Sequence, residues 1–148
     1  MATTENKVSI LNDLIIINND RCEGYRKAAE ETKDSSLKDL FNKYSRQSDE
    51  FNRELRTLVN HEDEPDRGET TLSGKLYRVW MDVKSSLAGN DRKSVLNSCE
   101  YGEDVALGTY KEALEDELSG EARNIVQRQK SEIQEAHNYI RSLRDQEK

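Results

Sequence analysis

The chain has 148 residues, of which 36% are charged and 33% hydrophobic, and its formal net charge is −7. Its length is typical of a single domain with a sizeable core. The composition excludes a membrane-spanning segment, because the longest apolar run, LIII at 14–17, is far too short. The acidic balance disfavours a nucleic-acid-binding surface, since the phosphate backbone would be repelled.

The chain shows no signal of export and no cysteine framework. Residues 1–9 lack the apolar core of a secretory signal. Cys22 and Cys99 have neither the spacing of a metal site nor that of a disulfide framework, so we predict two reduced thiols. We therefore expect a soluble cytoplasmic protein with neither a membrane nor a nucleic acid as partner.

Long stretches rich in Glu, Lys, Leu, Arg and Ala, interrupted by a single proline, favour helices. Apolar residues recur along these stretches with the three- and four-residue spacing of one helical face. This pattern predicts five helices, over about 5–32, 36–60, 73–88, 92–117 and 121–146.

The connections between these helices suggest how they pack. Residues 33–36 (KDSS) offer caps for the second helix, and AGND at 88–91 offers a cap for the fourth. The acidic segment 61–72 reads as a surface loop, and Ser73 as a cap for the third helix. Helices joined by short turns are expected to be antiparallel neighbours. We predict one all-α domain over 1–148, an antiparallel four-helix bundle with a short extra helix in the crossover.

Polar side chains on the apolar faces are the candidates for function. We place residues at about 100° each around a helix. Glu103 then falls at the centre of the inward face of the fourth helix and Glu100 at its edge, whereas Tyr101 and Asp104 point outward. The predicted polar core layer consists of Asn18, Tyr44, Ser48, Glu100, Glu103 and His137.

The number of residues between each polar residue and the turn of its hairpin predicts a specific contact within the layer. Glu103 lies 16 residues before Ser119, near the last turn, and His137 lies 18 residues after it. The two are then at nearly the same level of an antiparallel pair. Because a buried carboxylate must be paired or hydrogen-bonded, we predict that Glu103 contacts His137.

Three stretches resemble a known family: LNDLIIINNDRCEGYRKAAEE at 11–31, CEYGEDVALGTYKEAL at 99–114 and QKSEIQEAHNYIRSLRD at 129–145. They are similar to a bacterial family of ferritin-like four-helix-bundle proteins of unknown function, with the motif Cys-Glu-x-Gly-Glu-Asp-x-Ala-Leu. The resemblance covers almost the whole chain and implies a ferritin-like fold, but no activity. The family tends to have a His-Arg pair before Trp, where this chain has YRVW at 77–80.

A ferritin-like di-metal site takes one Glu from each of two helices and a Glu-x-x-His from each of the others. This chain offers Glu100 and Glu103 on one helix, and Gln134 stands where the Glu before His137 should be. The di-metal set is therefore incomplete. Glu100, Glu103 and His137 could still hold one divalent ion, since three ligands can suffice.

The leading interpretation needs no cofactor. The polar layer then sets helix register in a non-enzymatic bundle, with a role in protein interaction or stress and with a homodimer as one option. No nucleophile and base stand at a suggestive spacing. We expect His61 to be solvated, Trp80 to anchor the short helix, and Gly102 to pack closely against Tyr25 or Tyr44, with Gly24 in a similar role. The alternative is metal binding, or a degenerate oxidoreductase site, at Glu100, Glu103 and His137.

Overall fold

Five α-helices make up most of the chain that the structure describes. The computed structural model describes residues 4–59, 74–89, 91–115, 118 and 120–147. Within these residues there is no β-strand, so the fold is all-α, as predicted. None of the described helices has the length and apolar character needed to cross a bilayer. The helices are α1 (Thr4–Glu31), α2 (Ser35–Arg56), α3 (Gly74–Ala88), α4 (Arg92–Glu115) and α5 (Gly120–Gln146).

The helix ends lie close to those predicted, with a difference at the end of α2. The apolar pattern continued α2 to residue 60, but the helix ends at Arg56 and residues 57–59 form a turn. The acidic loop 61–72, including His61, and the predicted cap Ser73 lie outside the described residues.

Aspartate side chains cap the beginnings of α2 and α4, as their positions in the sequence predicted. The Asp34 carboxylate accepts hydrogen bonds from the backbone N–H groups of Ser36 and Leu37. Asp91 accepts one from the N–H of Ser94. These carboxylates satisfy donors that the first helical turn leaves without a partner.

The long helices pack as two antiparallel pairs. In the first pair, the residues of α1 from 15 to 22 contact those of α2 in reverse order, from 52 to 45. The second pair, α4 with α5, runs in the same sense, as Asn97 contacts Arg144 and Tyr110 contacts Gln129. Further contacts join α1 to α4 and α2 to α5, while α3 packs on α4 and α1.

Two glycines allow α3 to approach the long helices. A Cβ at Gly24 of α1 would lie 2.1 Å from the indole ring of Trp80, and a Cβ at Gly102 of α4 would lie 3.1 Å from the Val79 side chain. The Trp80 ring also meets Tyr25 edge-on, with the centroids 5.0 Å apart. Gly102 therefore accommodates Val79 of α3, and not Tyr25 or Tyr44 as its position in the sequence had suggested.

Candidate functional site

A buried ion pair lies between α1 and α4. Arg21 donates from Nε and Nη2 to the two carboxylate oxygens of Glu103, at 2.7 and 2.8 Å. The two side chains are only 2% and 1% exposed. Burial by itself lowers the pKa of the Arg21 guanidinium, but the Glu103 carboxylate outweighs it and holds that pKa above its usual range. Arg21 is therefore charged, and its planar fork matches the carboxylate.

Hydrogen bonds extend from this pair to α2. The Nη1 of Arg21 donates to Ser48 Oγ at 2.8 Å, and Ser48 Oγ donates to Asn18 Oδ1 at 2.9 Å. Both Ser48 and Asn18 are fully buried. The guanidinium thus links three helices at one level.

A second series of hydrogen bonds continues to α5. Asn18 Nδ2 donates to the hydroxyl oxygen of Tyr110 at 2.7 Å, and that hydroxyl donates to Gln129 Oε1 at 2.6 Å. Gln129 Nε2 donates to the backbone carbonyl of Phe51 at 3.2 Å, which returns the series to α2. All four long helices are therefore joined by one buried polar network, composed of Asn18, Arg21, Ser48, Glu103, Tyr110 and Gln129.

Tyrosine rings surround the guanidinium. The Cζ of Arg21 lies 5.4 Å from the ring centroids of both Tyr25 and Tyr44, within the range of a cation–π contact. Burial raises the pKa of the Tyr25, Tyr44 and Tyr110 hydroxyls and of the Cys99 thiol above their usual values. These groups are therefore neutral at physiological pH, and they add no second buried charge to the pair.

A second cluster of ionisable groups lies nearer the surface, between α4 and α5. His137 Nε2 is 2.9 Å from Asp104 Oδ1 and 3.6 Å from Glu100 Oε1. The other Glu100 oxygen accepts a hydrogen bond from Arg144. Asp104 is 55% exposed, whereas His137 and Glu100 are mostly buried. We call Glu100, Asp104 and His137 the His137 cluster.

The residues of the predicted polar layer fall into two groups. Asn18, Ser48 and Glu103 belong to the buried polar network, and the backbone carbonyl of Tyr44 accepts a hydrogen bond of 3.4 Å from Arg21. Glu100 and His137 belong to the His137 cluster instead.

Glu103 and His137 were predicted to contact each other, but each has another partner in the structure. The Glu103 carboxylate is held by Arg21, and His137 reaches the outward-pointing Asp104 on the next position of α4. A guanidinium offers a permanent charge and two parallel donors, which satisfy a buried carboxylate better than one imidazole nitrogen can.

The sequence did contain a signal for Arg21. It lies three residues after Asn18 and four before Tyr25, and both of these belong to the inward face of α1. The predicted polar layer did not include Arg21, although its side chain is buried. That layer also lacked Tyr110 and Gln129, which share a hydrogen bond in the structure.

A groove of about 370 Å³ separates α2 from α5 along part of their length. The two helices meet beside the groove, where Gln129 Nε2 donates to the backbone carbonyl of Phe51. Each helix lines the groove with one stripe of residues at helical spacing. The lining residues are Leu40, Lys43, Tyr44, Gln47, Glu132, Glu135, Ala136 and Tyr139.

Comparison with protein families matches residues 6–116, a stretch that includes α2, α3 and α4, to a family described as Domain of unknown function (DUF2383). Helix α5, which supplies Gln129 and His137, lies beyond the matched residues. None of the curated proteins compared with the chain matches it.

Proposed function

This chain belongs to the DUF2383 family, a domain of unknown function, and we propose that it is a non-enzymatic helical bundle that acts by binding another protein. The observation that carries the proposal is the Arg21–Glu103 pair. Both carboxylate oxygens are bound, and both side chains are almost completely buried. A general acid or base must reach its substrate directly or through one water, and the position of Glu103 argues against such access.

The proposed architecture is a ferritin-like bundle of the four long helices. Its support is the pairing of α1 with α2 and of α4 with α5, with α3 in the crossover. A ferritin-like di-metal centre does not fit the residues of this chain. Glu103 would be one of its ligands, but the Arg21 guanidinium already occupies both of its oxygens. A metal cation there would also lie beside a buried positive charge, which Coulomb repulsion opposes.

The groove between α2 and α5 is the proposed docking surface. Its floor includes apolar and aromatic groups, such as Leu40, Tyr44 and Ala136, while Glu132 and Glu135 line the α5 side. A partner segment that is amphipathic and basic would cover the apolar floor and pair with the glutamates.

Site-specific photo-crosslinking in cells tests this proposal. A benzophenone amino acid at Tyr139, which lies on the groove, is compared with one at Tyr101 on α4; the two tyrosines are 50% and 51% exposed. We expect a discrete adduct with another protein from position 139 only, and its loss when Glu132 and Glu135 are both changed to lysine.

Equal adducts from both positions, or none from position 139, would overturn the docking surface. An adduct between two copies of the chain would replace the partner protein by a homodimer. Mass spectrometry of the crosslinked peptides distinguishes these results.

A further inference from the structure

Three potential metal ligands converge in the His137 cluster, and none of them belongs to the buried polar network. Each residue offers one ligand atom, and the three atoms lie within 4.8 Å of one another. Glu100 and Asp104 are one helical turn apart on α4, and His137 faces them from α5. We propose that this cluster binds one divalent transition-metal ion of the Zn²⁺ type. The inference is independent of the proposed docking function.

The spacing of the ligand atoms suits such an ion. Zn²⁺ binds nitrogen and oxygen ligands at about 2.0–2.2 Å in tetrahedral geometry, which places neighbouring ligand atoms about 3.4 Å apart. The separations from His137 Nε2 are 2.9 Å to Asp104 and 3.6 Å to Glu100. These two values lie on either side of the tetrahedral separation, and the Glu100 and Asp104 oxygens lie within 4.8 Å of each other.

The ring orientation of His137 places its Nε2 in the cluster and its Nδ1 beside a hydrogen-bond acceptor. His137 Nδ1 lies 3.2 Å from Asn138 Oδ1. That oxygen also accepts from Gln134 Nε2 at 3.0 Å, which identifies it as an acceptor. With Nδ1 as the donor to this oxygen, the lone pair of Nε2 faces the two carboxylate oxygens. Metal-binding histidines usually donate a hydrogen bond from the ring nitrogen that does not bind the metal. A cation between the imidazole and the carboxylates of Glu100 and Asp104 would remove the repulsion among these three groups.

The surroundings leave one side of the cluster open. Arg144 holds the outer oxygen of Glu100 and leaves Oε1 directed at His137. Asp104 is 55% exposed, so water can complete the coordination and the ion has a path of entry. The imidazole nitrogen favours Zn²⁺ and similar ions over Mg²⁺ and Ca²⁺, which prefer oxygen ligands. Bound there, the ion joins α4 to α5.

Calorimetric titration of the metal-stripped full chain, without a histidine tag, with Zn²⁺ tests the proposal. We expect one Zn²⁺ per chain and binding weakened by at least about tenfold in His137→Gln and in Asp104→Asn. His61→Gln removes the other histidine of the chain, and Asp39→Asn removes an exposed aspartate of α2. Both controls should bind Zn²⁺ with an affinity within about twofold of that of the parent chain, because neither residue belongs to the His137 cluster.

Absence of stoichiometric Zn²⁺ binding would overturn the proposal, as would site variants that bind like the parent chain. Displacement of Zn²⁺ by a modest excess of Mg²⁺ would also overturn it, because that result indicates a site without the histidine. Circular dichroism establishes that each variant is folded. Asp104 is largely exposed, so Asp104→Asn tests the site even if His137→Gln does not fold.

Discussion

At Arg21 two effects oppose each other. Burial disfavours the charged guanidinium, whereas the Glu103 carboxylate, the Ser48 hydroxyl and the surrounding tyrosine rings favour it. A pair buried to this extent adds little net stability over a well-packed apolar pair, but removal of one partner leaves an unpaired charge in the core. We therefore expect the pair to determine which helices meet at this level more than it adds to their stability.

A double-mutant cycle on this pair gives the first prediction at the residue scale. Arg21→Met and Glu103→Gln should each lower the free energy of unfolding by about 3–5 kcal/mol, because each leaves a buried partner unsatisfied. The double variant should recover a large part of that loss, since it removes both charges. Urea denaturation measures all three.

The exposed pair of Arg53 and Asp49 on α2 is the matched control. Its atoms are 3.2 Å apart, but the side chains are 74% and 47% exposed. Arg53→Met should cost less than about 1 kcal/mol. If Arg21→Met costs no more than this control, the buried pair does not hold the helices together.

At the scale of the elements, the packing of α3 depends on glycines in the helices that it contacts, α1 and α4. The missing Cβ of Gly24 leaves space for the Trp80 ring, and the missing Cβ of Gly102 leaves space for Val79. Glycine within a helix costs about 1 kcal/mol relative to alanine. This cost is offset at these two positions because α3 buries its apolar face against α1 and α4.

Two glycine-to-alanine substitutions separate helix propensity from packing. Gly24→Ala places a methyl group 2.1 Å from the Trp80 ring, so we expect a loss of about 1–3 kcal/mol or more. Gly108→Ala in α4 meets no atom within 4 Å and should stabilise the chain by about 0.5–1 kcal/mol. Thermal or urea denaturation gives both values, and equal effects at the two positions would contradict this account of α3.

At the scale of the whole molecule, the buried polar network connects the four long helices with few charges. Only Arg21 and Glu103 are ionised within it, and the tyrosine hydroxyls beside them are neutral because burial raises their pKa. Ionisation of one of these tyrosines would place a second negative charge near Glu103. The molecule as a whole should therefore be sensitive to alkaline pH.

Alkaline unfolding gives the prediction at this scale. A tyrosine in an unfolded chain has a pKa near 10, and the folded values of Tyr25, Tyr44 and Tyr110 are higher. Their contribution to stability is complete below about pH 10 and is lost as the pH rises from there toward the folded values, because only the unfolded chain releases protons. Each group contributes a slope of about 1.4 kcal/mol per pH unit in that window.

Urea denaturation at a series of pH values measures this slope. Tyr110→Phe should make the slope shallower, even though loss of the bond to Gln129 lowers stability at neutral pH. Tyr101→Phe removes a hydroxyl from an exposed ring and should leave the slope unchanged. Stability that stays constant to pH 11 would show that the three hydroxyls ionise freely in the folded chain.

The sequence by itself determined the elements and their inward faces. Helical periodicity depends only on residues three and four positions apart, so the apolar positions predicted five helices, and the phase of α4 separated inward Glu103 from outward Tyr101. Caps such as Asp34 and Asp91 accept hydrogen bonds from the backbone two or three residues away, so they too could be predicted from the neighbouring sequence.

Only the tertiary structure decided which polar groups meet. The depth count brought Glu103 level with His137, but in the structure Glu103 pairs with Arg21 of α1 and His137 lies beside Asp104. Which neighbour each face of α4 meets depends on the packing of all the helices together, including the close approach of Trp80 to Gly24. The partner of a buried charge is a property of that packing, and no spacing within one helix contains it.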